Sequence, residues 1–220
     1  MRKDSGSFSG LIFDLDGVIC FTDMYHYQGW KRLADEEGIY FDEKINDRLR
    51  GVSRMDSLEI VLERAEKAYS QEEKEEMAER KNRYYRELLG KMTPADLPAD
   101  RKETLLRLKE SGLKLAIGSS SKNAKFILER IGLGEFFDEI SDGTMISRSK
   151  PDPEVFLTAA KLLQLEPAQC LVIEDAKAGI EAAAAGGFRS AALGPDAQSS
   201  SLATYKLESF SGLLQICSLA

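Results

Sequence analysis

The chain has 220 residues, 43% of them hydrophobic and 30% charged, the balance of a globular domain rather than a disordered or fibrous chain. Its 37 acidic and 30 basic side chains leave a formal net charge of −7, against a nucleic-acid surface, and no apolar run reaches the ~18 residues that would span a membrane. A single histidine, His26, excludes zinc sites of several imidazoles, and Cys20, Cys170 and Cys217, without a C-x-x-C pair, read as free thiols of a reducing cytoplasm.

The first ten residues, "MRKDSGSFSG", lack the apolar core of a signal peptide. Next comes "LIF" (11–13), a short apolar run that reads as a buried strand and ends in Asp14 and Asp16. A buried carboxylate without a partner costs several kcal/mol, so these two call for a metal, a base or exposure. From about Thr22 to Met92 the pattern turns helical. Tyr27, Trp30, Leu33 and Ala34 share one stripe, Met55, Leu58, Val61, Leu62 and Ala65 a second, and Met77, Lys81, Tyr84, Tyr85 and Leu88 a third. The charge-rich "EEKEEMAERK" (72–81) reads as a solvated helix face, and "TPADLPAD" (93–100) as the return linker. Beyond it, "LKLAIG" (113–118), "CLVI" (170–173) and "SAAL" (190–193) read as strands. They alternate with helices over 124–133, over 153–163, begun by Asp152 and Pro153, and over 178–187, closed by Gly186 and Gly187. Strands alternating with helices predict a doubly wound α/β core on a parallel sheet, with a helical bundle inserted after the first strand.

Ligands of open α/β sheets bind beyond the carboxyl ends of the strands. Four polar clusters fall there: Asp14 with Asp16, "SSSKN" (119–123), "SKPDP" (149–153) and "IEDAKAG" (173–179). Asp14, Glu174 and Asp175 supply the hard oxygen donors that suit Mg²⁺. A calcium loop of the EF-hand type also begins D-x-D, but Val18 and Ile19 stand where it needs an oxygen donor and a glycine. Ser119 and the N–H groups of its turn suit a phosphate, and Lys150 adds positive charge. Singly, the D-x-D of Asp14 and Asp16 is more often a solvated turn than a site, and "SSSKN" or the "EDA" of 174–176 could be only a helix cap. Together they describe a phosphoryl-transfer site with Asp14 as nucleophile.

In this order the clusters resemble the haloacid dehalogenase superfamily of phosphotransferases. The resemblance runs through "FDLDGVI", the Thr22, His26 and Trp30 pattern, "LRGVSRMDSLE" (49–59), "RKNRYY" (80–85), "TPAD", "SSSKN", "SKPDPEVFLTAA" and "IEDAKAGIEA", nearly the whole chain. The "LRGVSR" segment points to the sugar-phosphate mutases of that superfamily rather than to its many phosphatases. The resemblance implies a Rossmann-like core of residues 1–20 and 95–220 under a helical cap of residues 21–94. It makes Asp14 the nucleophile and Asp16 the general acid and base, whose carbonyl also reaches Mg²⁺ beside Glu174 and Asp175. Ser119, Ser120 and Lys150 would hold the phosphoryl group in transit. Arg54, Ser121 and Asn123 would hold a second phosphate, and Thr22, His26, Trp30, Arg50, Gly51, Val52, Ser57 and Lys81 would form the hinge and the cap face around the sugar.

The implied reaction interconverts β-D-glucose 1-phosphate and glucose 6-phosphate through glucose 1,6-bisphosphate, in a monomer that uses small sugar phosphates and neither nucleic acid nor membrane. The alternatives are a sugar-phosphate phosphatase on the same core and a non-catalytic binder of phosphosugars. Three departures stand out: Phe21 replaces an aspartate of the family, Arg50 a lysine, and Ala99-Asp100 a glycine in the return linker.

Overall fold

The N-terminal apolar run becomes an interior strand of the sheet. The computed structural model describes residues 8–49 and 52–219. In it, β1 (Gly10–Phe13) is followed by α1 (Asp23–Glu36), α2 (Glu43–Asp47), α3 (Arg54–Leu62) and α4 (Gln71–Leu89). The chain then runs through α5 (Ala99–Glu110), β2 (Lys114–Gly118), α6 (Ala124–Arg130), β3 (Glu139–Ser141), α7 (Glu154–Leu163) and β4 (Cys170–Glu174). It ends with α8 (Lys177–Ala185), β5 (Arg189–Leu193), α9 (Pro195–Ser199), β6 (Tyr205–Leu207) and α10 (Leu213–Ile216).

Among the described residues the sheet has six strands in the order β3-β2-β1-β4-β5-β6, and every pair is parallel. This is the doubly wound core that the sequence predicts. Successive strand residues face opposite sides. Leu11, Phe13, Leu115, Ile117, Leu171 and Ile173 therefore pack with Leu105, Leu108, Ile127 and Leu213 on one side. Ile12, Ala116 and Val172 pack with Val155, Phe156, Ala159 and Ala182 on the other. Burial on both faces is why these strands read as continuous apolar runs.

The four interior strands are the four that the sequence marks. The edge strands β3 and β6 escape it, being three residues each and largely polar, "EIS" and "YKL". Helix α5 also escapes it. The expected helices at 124–133 and 153–163 are α6, which ends earlier, and α7, which starts at Glu154, whose N–H is accepted by the Asp152 carboxylate at 3.0 Å.

Helices α1 to α4 enclose an apolar cluster of their own, with Trp30, Leu33, Leu58, Val61 and Met77 at its centre. Serines cap two of these helices. Ser53 accepts from the Asp56 N–H at 3.2 Å ahead of α3, and Ser70 forms a capping box with Glu73 ahead of α4. Leu89 rather than Leu88 carries the third stripe inward, and with Tyr85 it joins the cluster under the sheet. Helix α4 thus belongs to both apolar clusters. No helix among the described residues is long and apolar enough to cross a membrane.

Candidate active site

Strand register delivers the first pieces. Phe13 is level with Ile117 of β2 and with Ile173 of β4, so Asp14 leaves the sheet beside Glu174, its N–H bonded to the Ile173 carbonyl at 2.9 Å. This is the point where the strand order reverses direction along the chain, the usual crevice of such sheets. Lys150, from the loop before α7, places its ammonium between Asp14 Oδ1 and Glu174 Oε1, the latter at 2.5 Å. All three are nearly sealed from solvent. Burial works against the Lys150 charge, but the two carboxylates outweigh it and hold the ammonium protonated. Glu174 is tethered from behind, its Oε2 accepting the Ala176 N–H at 2.7 Å.

Asp16 follows in a separate small network. The Thr22 hydroxyl donates to Asp16 Oδ1 and accepts from the Tyr85 hydroxyl at 3.2 Å. Burial raises the Asp16 pKa to about 6, the Thr22 bond restrains it, and the charge of Asp23 adds to it. Lys81 of α4 is buried against the rings of Trp30 and Tyr85 and is hydrogen-bonded to His26 Nδ1 at 3.0 Å. Burial, then the charges of Lys81 and Arg54, hold His26 well below its ordinary pKa.

These residues line a cavity of about 330 Å³ between the strand ends and the helical insertion. Of the sequence-predicted set, Asp14, Asp16, Ser119, Lys150, Glu174 and Asp175 reach it from the sheet side, with Ser120, Ser121 and Asn123. His26, Trp30, Val52, Arg54, Ser57 and Lys81 reach it from the insertion. Thr22 stands behind Asp16. Arg50 and Gly51 lie outside the described residues.

The turn after β2 is partly self-satisfied. The Ser121 N–H is bonded to Ser119 Oγ at 3.1 Å and the Asn123 N–H to Ser121 Oγ at 3.2 Å, whereas the Ser120 hydroxyl is buried without a partner. Arg54, at the start of α3, ion-pairs with Glu79 at 2.7 Å and donates to Asn82 Oδ1 at 3.0 Å.

Asn46, Asn82, Lys122 and Ser149 also line the cavity, and the sequence reading misses them. Asn82 and Lys122 lie inside the quoted runs "RKNRYY" and "SSSKN", but nothing local shows that they point inward. Of the departures, Phe21 is 58% exposed and its ring lies under the Arg101 guanidinium of α5, which also reaches the Val18 carbonyl.

Among the described residues no group of three or more carboxylate, imidazole or thiol side chains forms a ready-made metal cage, and Asp14 and Glu174 are turned on Lys150. The donor chemistry nevertheless fits a hard divalent cation. Burial raises the pKa of Asp14 and of Asp175, and for Asp175 the neighbouring Glu174 and Asp14 charges add to it. One ammonium does not balance this acidic group, and a second cation would. Gly17 leaves the room: its φ is +86°, and a Cβ there would overlap the Asp175 carboxylate.

Comparison with known proteins identifies the family. A family model described as haloacid dehalogenase-like hydrolase matches residues 8–187. The chain is 45% identical to β-phosphoglucomutase of Bacillus subtilis over 84% of its own length and 82% of the relative's. It is 33% identical to a phosphorylated carbohydrates phosphatase of Thermotoga maritima over 81% of each chain. The crystal structure of β-phosphoglucomutase from Clostridium difficile superposes with a TM-score of 0.87 at 38% identity, covering 94% of this chain and 93% of that one. With a matching family model over residues 8–187 and a relative 45% identical over most of both chains, the chain belongs to the haloacid dehalogenase-like hydrolase family.

Proposed function

We propose that the protein is a β-phosphoglucomutase that interconverts β-D-glucose 1-phosphate and glucose 6-phosphate. The observation that carries this reading is that the cations lining one cavity include Arg54, held by Glu79 and Asn82 on the helical insertion, as well as Lys150 beside Asp14. A phosphatase needs to grip one phosphate. A mutase must also hold a second, because its bisphosphate intermediate carries one at each end.

In the forward half-reaction the sugar enters with its own phosphate on Arg54, Ser121 and Asn123, and a hydroxyl facing phosphorylated Asp14. Asp16 takes the hydroxyl proton as the sugar oxygen bonds to phosphorus and the bond to the Asp14 oxygen breaks. Glucose 1,6-bisphosphate turns over and presents its other phosphate. The Asp14 carboxylate then attacks phosphorus, the sugar oxygen departs, and Asp16 returns the proton to it. A pKa of about 6 lets Asp16 play both parts near neutral pH. Lys150, Ser119 and Ser120 hold the phosphoryl oxygens in transit. Asp14, Glu174, Asp175 and the Asp16 carbonyl would hold Mg²⁺, which when bound offsets the charge on the transferred group. Residues 21–94 act as a lid that excludes water while the phosphoenzyme waits, with His26 and Lys81 on the face that encloses the sugar, and residues 1–20 and 95–220 form the core. The working unit is read as a monomer, and the three free cysteines suit the cytoplasm.

The phosphatase reading is favoured by the Thermotoga relative. One assay separates the two. Supplied with β-glucose 1-phosphate, Mg²⁺ and a trace of bisphosphate, the protein should form glucose 6-phosphate with little free phosphate, and excess chelator should stop it. Stoichiometric release of phosphate would make the protein a phosphatase.

A further inference from the structure

Asn123 precedes α6 and is almost sealed from solvent in the cavity wall. Its carboxamide has two ends of opposite character: the amino group donates to an anion, and the oxygen repels one. Its value to a phosphate therefore depends on which end faces inward. Two side chains of α4 decide this. Arg86 Nη1 donates to Asn123 Oδ1 at 3.1 Å, and its guanidinium lies 4.4 Å above the Phe126 ring of α6. A guanidinium only donates, so it takes the oxygen end. Asn82 lies four residues before Arg86, on the same face of the helix. Its Oδ1 accepts from Asn123 Nδ2 at 3.0 Å and from Arg54 Nη2 at 3.0 Å. One oxygen thus gathers a donor from the insertion and a donor from the core, as an oxygen of a phosphate would.

We propose that Asn82 and Arg86 are positioning residues for the second phosphate. Arg86 keeps the amino end of Asn123 turned inward, and Asn82 holds that amino group beside the Arg54 guanidinium until a phosphate oxygen replaces the Asn82 carbonyl. The inference rests on the mutase reading, since it needs a substrate that carries a second anion. A plain clasp between α4 and α6 would use the same bonds but would affect stability alone.

Arg86→Met keeps the packing on Phe126 and removes the donor; Asn82→Ala removes the shared acceptor. For each, KM and kcat for β-glucose 1-phosphate and the thermal midpoint are measured. KM should rise about tenfold, as for a lost charge-assisted bond, with a smaller change in kcat. In an Asn123→Ala background Arg86→Met should raise KM by less than about twofold, because its effect passes through Asn123. An unchanged KM in both variants, a shift in thermal midpoint alone, or an equal Arg86→Met penalty with and without Asn123 would overturn the proposal. Absence of mutase turnover in the wild type would overturn the mutase reading instead.

Discussion

Asp14 sits where a carboxylate is hard to keep ionised, buried at a strand end beside Glu174 and Asp16. The Lys150 ammonium makes it tolerable. Asp14→Asn keeps the shape and the hydrogen bond but removes the nucleophile, so turnover should fall by roughly 10³-fold or more while the fold persists. Assay beside circular dichroism checks this, and turnover within about tenfold of wild type would remove Asp14 from the nucleophile role. Thr22 tests the proton-transfer role of Asp16. Its bond to Asp16 favours the carboxylate and so lowers a pKa that burial has raised. Thr22→Val deletes the bond, and the Asp16 pKa should climb above about 6. Attack by a sugar hydroxyl needs the ionised Asp16. The acid limb of kcat/KM should therefore move to higher pH in the variant, and an unmoved limb would mean that another group governs it.

The elements place these groups through close approach. Glu174 ends β4, and α8 begins three residues later with Gly179 in its first turn. A Cβ at Gly179 would overlap the Glu174 carboxyl group, so the helix comes this near only because that residue has no side chain. Gly179→Ala should improve helix propensity by about 1 kcal/mol and yet push Glu174 off Lys150. Turnover should drop on the order of 10²-fold with stability changed by no more than about 2 kcal/mol. Urea unfolding and the mutase assay on one preparation separate the two effects; full activity would show that the Glu174–Lys150 contact is dispensable. Helix α4 makes a comparable link at larger span. Its middle closes the helical insertion through Met77 and Lys81, and its end docks on the sheet-side cluster through Tyr85 and Leu89.

At the scale of the whole molecule, this docking gives the stability of the fold a pH dependence. Burial first, then the Arg54 charge, lowers the Lys81 pKa to about 7. In the unfolded chain the same amine titrates near about 10.4. Below pH 7 the folded protein carries the full cost of a buried ammonium. Between about 7 and 10 the folded form gives up a proton that the unfolded chain retains, and stability rises with pH. Lys81→Met should therefore gain most over wild type below pH 7, with the difference narrowing to a plateau near pH 10. Unfolding free energies measured across that range check the sign. A constant difference would show that Lys81 titrates alike in both states.

How much of this was legible in the sequence follows from the range of each interaction. The interior strands, the helical insertion and the four polar clusters are local patterns: burial on both faces writes an apolar run, a helix stripe repeats every three or four residues, and a strand end shows where polarity returns. Asp14, Asp16, Ser119, Lys150, Glu174 and Asp175 could be singled out on those grounds, and their resemblance to a known family added His26, Arg54 and Lys81. The edge strands β3 and β6 could not, because three largely polar residues are too few to show a period, and only pairing with β2 and β5 makes them strands. Nor could Asn82 and Arg86. A polar residue on a charged helix reads as solvated until the partner helix is in place, and the facing carboxamide of Asn123 lies 41 and 37 positions away along the chain. Tertiary structure alone decides which end of that amide faces the cavity, because the choice belongs to hydrogen bonds between helices and not to any one of them.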